Sequence, residues 1–386
     1  MSARRHLKVL AHREAAGRLR GELSRRGFIG GALGVGGIAL LGACTSGGGA
    51  AANGSGQLNM FTWADYTAPD NLEGFQDDHG TTVSLSSFNS NEEMIAKLVA
   101  AKGTGGYDII VPTGQFIPGL VEQELIQQLD LERIPNFSHL ASEFTGLAWD
   151  PGNQYAVCKA WGTTGFVYDK TVITRELATW ADFIDAAQNE ASGATSVLDD
   201  PGDLLGIYFW ANDIDWNTTE ESHYQACEKF LVEELAPHLA AFDSYPGGGA
   251  IPQGSFALMQ AWNGDARIGI LESGEPDRWQ WVLAGPRTEL WMDTYAIATG
   301  APNPDAAHEF IDYVLAPEAS LAEIDWNGYH TGVNGVEAAA EEAGLEMLDM
   351  VFFTPEQLAT MSTGEINEFQ ERRVDVWNKV RASAGR

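Results

Sequence analysis

The sequence predicts an α/β fold, and three features lead there. Between residues 58 and 111, strand-like apolar runs alternate with amphipathic helical stretches in the order strand, helix, strand, helix, strand, which favours a sheet with parallel strands. A second region, from Trp161 to about Met292, again mixes strand-like and helical runs and reads as a second α/β domain. The chain has 386 residues, enough for two domains of ordinary size.

Taken in order, residues 58–62 form a short apolar strand running into Trp63-Ala64-Asp65-Tyr66. Residues 69–79 open with Pro and carry Leu72, Phe75 and Gln76 near one helical face. Residues 82–88 alternate as a strand does. Ser90-Asn91-Glu92-Glu93 is a capping-box pattern before a helix with Met94, Ile95, Leu98 and Val99 on its stripe. Residues 107–111 form a continuous apolar strand. Ligands in such sheets bind beyond the carboxyl ends of the strands, so residues 63–66 and 112–116 should converge. Farther on, 165–169, 267–271 and 293–298 read as strands. Residues 180–189, 222–235, 303–315, 337–350 and 365–381 read as helices.

Charge is placed unevenly. Residues 1–26 hold eight Lys/Arg and two Glu, residues 27–43 hold no charge, and from Cys44 onward 15 basic face 52 acidic residues. Ser24-Arg25-Arg26-Gly27-Phe28-Ile29 resembles a twin-arginine export signal. The uncharged run after it is short for a membrane span. Leu41-Gly42-Ala43-Cys44 resembles a lipobox, with the Cys44 sulfur as lipid acceptor. Residues 1–43 are therefore expected to be a signal peptide and 44–57, rich in Gly, Ser and Ala, a flexible tether. The mature protein is expected on the outer face of the cell membrane, on the periplasmic side where an outer membrane exists. Its acidity argues against nucleic acid as partner, and Cys158 and Cys227 could pair or stay as thiols.

Enzyme motifs are largely missing: there is no His-Glu-x-x-His, no phosphate loop and no nucleophile elbow after the tether. His223 and Cys227 stand four apart, but two ligands make a weak metal site. No cofactor, metal or catalytic residue is expected. A more specific pattern is an aromatic ring beside a carboxylate at a turn, three times over: Trp63 with Asp65 and Tyr66, Trp262 with Asp265, and Trp291 with Asp293. A primary ammonium on an alkyl chain wants both, a carboxylate to bond its charge and a ring to cover its methylenes. None of the three clusters contains a basic residue, Arg267 being the nearest, so an anionic ligand is disfavoured.

With these segments assembled, the sequence resembles the extracellular solute-binding proteins of polyamine ABC importers, the spermidine/putrescine family. The stretches that carry the likeness are FTWADYTAPDNLEGF (61–75), SNEEMIAKLVA (90–100), YDIIVPT (107–113), AWNGDARI (261–268), WMDTYAI (291–297) and HEFIDYVLAPEAS (308–320). The resemblance implies a two-lobed periplasmic-binding-protein type II fold with a hinge. Residues 58–161 and 294–338 would form the first lobe, 162–293 and 339–386 the second. Position by position, Trp63, Asp65 and Tyr66 resemble a first-lobe wall and Thr113 the small hydroxyl residue after the third strand. Trp262, Asp265, Trp291 and Asp293 resemble the aromatic and acidic centre, Asp200 and Asp203 a second-lobe acidic loop, and Tyr329 an aromatic from a later loop. Gln115 stands where spermidine binders tend to carry an aromatic residue, and Asp265 is similar to the putrescine-type arrangement. The implied protein is a monomeric, lipid-anchored receptor that passes a linear polyamine to ABC permease subunits without chemistry. A receptor for another small cationic or amino-bearing solute, or a secreted hydrolase using Asp200 or Asp293 as an acid, stays open at this point.

Overall fold

The structure is a computed structural model that describes residues 56–101 and 105–385. The segment expected to be an export signal, Cys44 and nearly all of the expected tether lie outside the described residues. No helix among the described residues is long and apolar enough to cross a membrane.

The first half follows the alternation read from the sequence. Strand β1 (Gln57–Trp63) leads into helix α1 (Pro69–His79), which opens on Pro and stops at Gly80. Strand β2 (Thr82–Phe88) lies parallel to β1. In α2 (Asn91–Ala101) Ser90 Oγ accepts from Glu93 N at 3.1 Å, while the Glu93 carboxylate reaches back to Asn89 N at 2.9 Å. The reciprocal cap is thus shifted by one residue from the ideal box. Met94 and Leu98 are buried, whereas Val99 faces solvent, so the apolar stripe is narrower than expected. Strand β3 (Ile109–Ile110) pairs parallel with the other edge of β1, followed by α3 (Ile117–Glu122) and β4 (Ile126–Gln127).

Strand β5 (Ala156–Asp169) is buried along its whole length. Only its last part was legible as a strand, because a strand covered on both faces shows no alternation. The second half continues with α4 (Trp180–Gln188), β6 (Thr195–Val197), α5 (Pro201–Ala211), α6 (Glu221–Phe230) and β7 (Leu239–Phe242). Next come α7 (Ala250–Gln253), β8 (Leu258–Trp262), α8 (Asn263–Glu272), β9 (Trp279–Val282) and β10 (Thr288–Ala298). The chain closes with α9 (Pro304–Val314), α10 (Pro317–Asn327), α11 (Val336–Glu342), α12 (Pro355–Leu358), β11 (Met361–Ser362) and α13 (Gln370–Ser383).

Three expectations fail here. Residues 267–271 are helical, inside α8, and not a strand; a short apolar run cannot by itself distinguish the two states. The stretch 337–350 breaks after Glu342 near Gly344, and 365–381 becomes helical only from Gln370. Of the two states left open for Cys158 and Cys227, the structure has the free thiols, both buried.

Among the described strands the main sheet order is β2-β1-β3-β10-β5-β8-β6-β7. β10 runs antiparallel to β5 from Leu290 opposite Thr163 to Ala296 opposite Ala156, with an irregularity between Asp293 and Thr294. Beyond that stretch β5 turns to β8 and β9, and β10 turns to β3. These two long strands are therefore common to both halves. Each half has its own core. On one side Trp180, Phe183, Phe209 and Trp210 pack beneath β6 and β8; on the other Phe75, Ile109, Tyr295 and Phe310 pack about β1, β3 and β10. Truncating one such ring to Ala costs about 3–5 kcal/mol.

Candidate functional site

Both segments expected to converge do so, on Asp293. Thr113, just past β3, donates from Oγ1 to Asp293 Oδ1 at 2.8 Å, and is itself held by Asn91 through two hydrogen bonds of 2.9 and 3.0 Å. Tyr66, past β1, is buried with its hydroxyl outside hydrogen-bond geometry to any partner. Burial first, then the nearby Asp293 carboxylate, pushes its phenol well above the usual range. Burial pushes the Asp293 carboxyl up to about 6, against the lowering effects of Thr113, Tyr66 and Lys159. An ionised carboxylate here is short of compensating charge.

Asp293 is not at a turn, as the sequence pattern suggested, but inside β10. The period of two then puts Glu289, Trp291 and Asp293 on one face of the strand. Trp291 packs edge-on against Tyr329 at 4.9 Å, and Tyr329 against Tyr66 at 5.8 Å. Tyr329 lies on the first turn of α8, so close that a Cβ on Gly264 would fall 2.5 Å from its ring. That contact lets the Tyr329 hydroxyl accept from Asp265 N at 3.2 Å.

Asp265 begins a second acidic group. Burial, then Asp243, and also Asp65 raise its carboxyl to about 8. Asp65 is exposed, with φ 51°, and its carbonyl accepts from Trp326 Nε1 at 2.9 Å. Tyr245, whose phenol is raised by burial, Asp265 and Asp65, completes this end. Trp63 stacks edge-on with Phe88 at 4.7 Å where β1 ends.

The opposite end holds a third acidic group. Asp200 caps α5, accepting from Gly202 N at 2.7 Å and Asp203 N at 3.0 Å. Asp203 is buried and accepts from Thr164 Oγ1 at 2.7 Å and from Trp262 Nε1 at 3.2 Å. The same Thr164 hydroxyl lies 3.1 Å from Glu289. One hydroxyl has one hydrogen, so it serves only one of two ionised carboxylates at a time. Burial leads in raising Asp200, Asp203 and Glu289 alike.

No Lys or Arg among the described residues lies within ion-pair distance of Asp200, Asp203, Asp265, Glu289 or Asp293. Arg267 turns away, bonding the carbonyls of Glu346 and Ile324. Gln115 and the Trp216 ring both lie against Gly364. His223 bonds Thr218 at 2.8 Å while Cys227 points into the core, and no metal cluster occurs among the described residues. Sequence reasoning missed Glu289, Asp243, Tyr245 and Trp216. Of these only Glu289 had a readable signal, the Glu-x-Trp-x-Asp alternation of a strand with one face on the site.

The fold and this lining define a class: a two-lobed α/β protein of the periplasmic-binding-protein type II fold whose halves share β5 and β10. The family model described as bacterial extracellular solute-binding protein matches residues 72–343, and the chain belongs to that family. Its relatives lie in the spermidine/putrescine branch. The Escherichia coli spermidine/putrescine-binding periplasmic protein is 30% identical over 71% of this chain and 77% of its own. The Pseudomonas aeruginosa putrescine/agmatine-binding protein is 27% identical over 85% of this chain and 92% of its own. In fold the chain is similar to the Tp0655 (TpPotD) lipoprotein of Treponema pallidum, with a TM-score of 0.72 at 24% identity, over 84% of this chain and 99% of that one.

Proposed function

We propose that this protein is the receptor of an ABC importer and captures a linear polyamine of the putrescine/spermidine class. The observation that carries the reading is the set of buried carboxylates, Asp203, Asp265 and Asp293, interleaved with Trp262, Trp291, Tyr66 and Tyr329, with no Lys or Arg of the described residues within ion-pair distance. Burying such charge is costly unless a cation arrives. A chain of methylenes tipped with ammonium groups supplies that cation and covers the rings.

Residues 58–161 and 294–338 would make the first lobe and 162–293 with 339–386 the second, the ligand being held by both. A ligand shifts the open–closed balance only through contacts it gains in the closed form, and Asp65 on the first side with Asp203, Asp265 and Asp293 on the second would provide them. The protein would act as a monomer without turnover, held to the outer face of the membrane by lipid on Cys44. Release of a Cys44→Ser variant into the medium or periplasm would support the anchor.

Isothermal titration with putrescine, spermidine, spermine and agmatine tests the reading. Heat is expected with at least one. Silence with all four, together with binding of a sugar or an anion, would overturn it, and turnover of a bound ligand would favour a hydrolase. Gln115→Tyr, placing a ring beside Gly364, which the Trp216 ring also borders, is expected to change the preference between short and long amines.

A further inference from the structure

A cation receptor of this design contains a buried cation of its own. Lys159, on β5, is fully buried with Glu323 of α10 as its partner at 3.0 Å. Its ammonium also donates to the Tyr66 carbonyl at 2.8 Å and lies 4.1 Å from the centre of the Tyr66 ring and 5.5 Å from that of Tyr295. A carboxylate, a carbonyl and two aromatic faces thus surround a primary ammonium on an alkyl stem.

The rest of the network fixes the loop between β1 and α1. Glu323 Oε1 accepts from Ala68 N and from Asn71 Nδ2, each at 2.9 Å. Glu323 Oε2 accepts from Lys159 and, at 3.3 Å, from Asn327 Nδ2, which also reaches the Tyr66 carbonyl at 3.1 Å. A well-packed apolar pair often replaces a buried ion pair at no loss of stability, so this pair asks for a reason beyond folding. The reason is visible in what it touches. The Tyr66 ring is gripped from behind by Lys159, while its edge meets Tyr329 and its hydroxyl faces Asp293.

We propose that Lys159 is a positioning residue of the ligand site: balanced by Glu323, it holds the Tyr66 ring in place beside Asp293 and is the one cation bearing on the carboxylate that would meet the incoming ammonium. The proposal rests on the polyamine reading only for its binding consequence. Lys159 faces Glu323 and Asn327 from α10, Tyr66 from the β1–α1 loop, Tyr295 and Asp293 from β10, and Cys158 from its own strand. Asp293 in turn faces Thr113, Tyr66, Tyr329, Cys158 and Lys159. Lys159 is the only cation in that set, and it lowers the Asp293 carboxyl against the effect of burial.

Two variants test this. Lys159→Met with Glu323→Gln removes both charges at near-constant shape, whereas Lys159→Arg keeps the charge and displaces the contact with the Tyr66 ring. Without ligand, the carboxyl midpoint of Asp293, followed by carbon-13 NMR, is expected to rise by about one pH unit in the double variant and to stay put in Lys159→Arg. With putrescine, calorimetry is expected to give about tenfold weaker binding in both variants, and an acid-side loss of binding displaced upward only in the double variant. A folded double variant with an unmoved Asp293 midpoint overturns the proposal. So does wild-type affinity in Lys159→Arg, should that alone fold. Failure of wild-type protein to bind any polyamine would instead strike the functional reading, since the ligand-free midpoint is independent of it.

Discussion

Asp293 is the residue on which most constraints meet: it closes the β3 loop through Thr113, faces Tyr66, and sits beneath Trp291 on β10. Asp293→Asn keeps the shape and the Thr113 contact but removes the charge an ammonium would bond. Polyamine binding is expected to weaken about ten- to hundredfold, equivalent to about 1.5–3 kcal/mol, by calorimetry. Asp265 gives a prediction of opposite sign for the ligand-free protein. Its carboxyl rises from an ordinary 3.8 to about 8, chiefly by burial. Between those values the folded protein holds a proton that the unfolded chain has released, so stability is greatest on the acid side and falls as pH rises through the window. Cation binding favours the ionised form, so affinity should run the other way, weakening as pH drops below about 8 and again near the 6 of Asp293. Thermal unfolding of ligand-free protein should therefore give a higher midpoint at about pH 5.5 than at about pH 8, with a flatter dependence in Asp265→Asn. An unchanged one would show that Asp265 is ionised throughout.

At the scale of elements, the contact of Gln115 and Trp216 with Gly364 ties the short helical turn after β3 to the segment before α13. A Cβ on Gly364 would fall on the Gln115 side-chain oxygen and 2.8 Å from the Trp216 ring. Gly364→Val is expected to hinder this approach and weaken ligand binding, with some loss of stability because the Trp216 ring packs on Trp210 in the core. The contrast is Thr179→Ala. Thr179 caps α4 by accepting from Asp182 N at 3.1 Å, with the Asp182 carboxylate returning to Thr179 N at 2.9 Å. Its loss should cost about 1 kcal/mol of stability without touching affinity. Denaturant unfolding and calorimetry on the pair separate the two effects. The elements that were legible are those with local signals: the Pro start of α1, the Ser90 cap of α2, the alternation of β2. What stayed hidden depended on partners distant in the chain. The early part of β5 has no alternation because both faces are covered, and residues 267–271 look like a strand until α8 gives Gly269 a place against Gly247. At the candidate site, Trp262 and Trp291 and the carboxylates Asp265 and Asp293 could be picked out by residue type. Asp243 and Tyr245 come near Asp265 only through the packing of the segment after β7 on α8.

For the whole molecule the governing quantity is charge. From Cys44 onward, 52 acidic residues face 15 basic ones, and basic partners satisfy surface carboxylates more often than those of the cleft. Arg175 pairs with Glu190 at 2.8 Å, Arg381 covers Asp199, and Arg133 holds Asp305 at 2.8 Å. The field that remains attracts cations toward the protein over a Debye length, about 8 Å at physiological salt, while close contacts in the site are screened far less. Association and dissociation should therefore respond differently to ionic strength. Trp63, Trp262 and Trp291 supply a fluorescence signal at the site for stopped-flow mixing. Raising salt from about 0.01 to about 0.5 M is expected to slow polyamine association about tenfold or more, with a much smaller change in the dissociation rate. A neutral solute drawn in by the rings alone would associate at a rate indifferent to salt. An association rate flat across that range, with a ligand that still binds, would mean that the acidic surface does not serve capture and that recognition begins only inside the cleft.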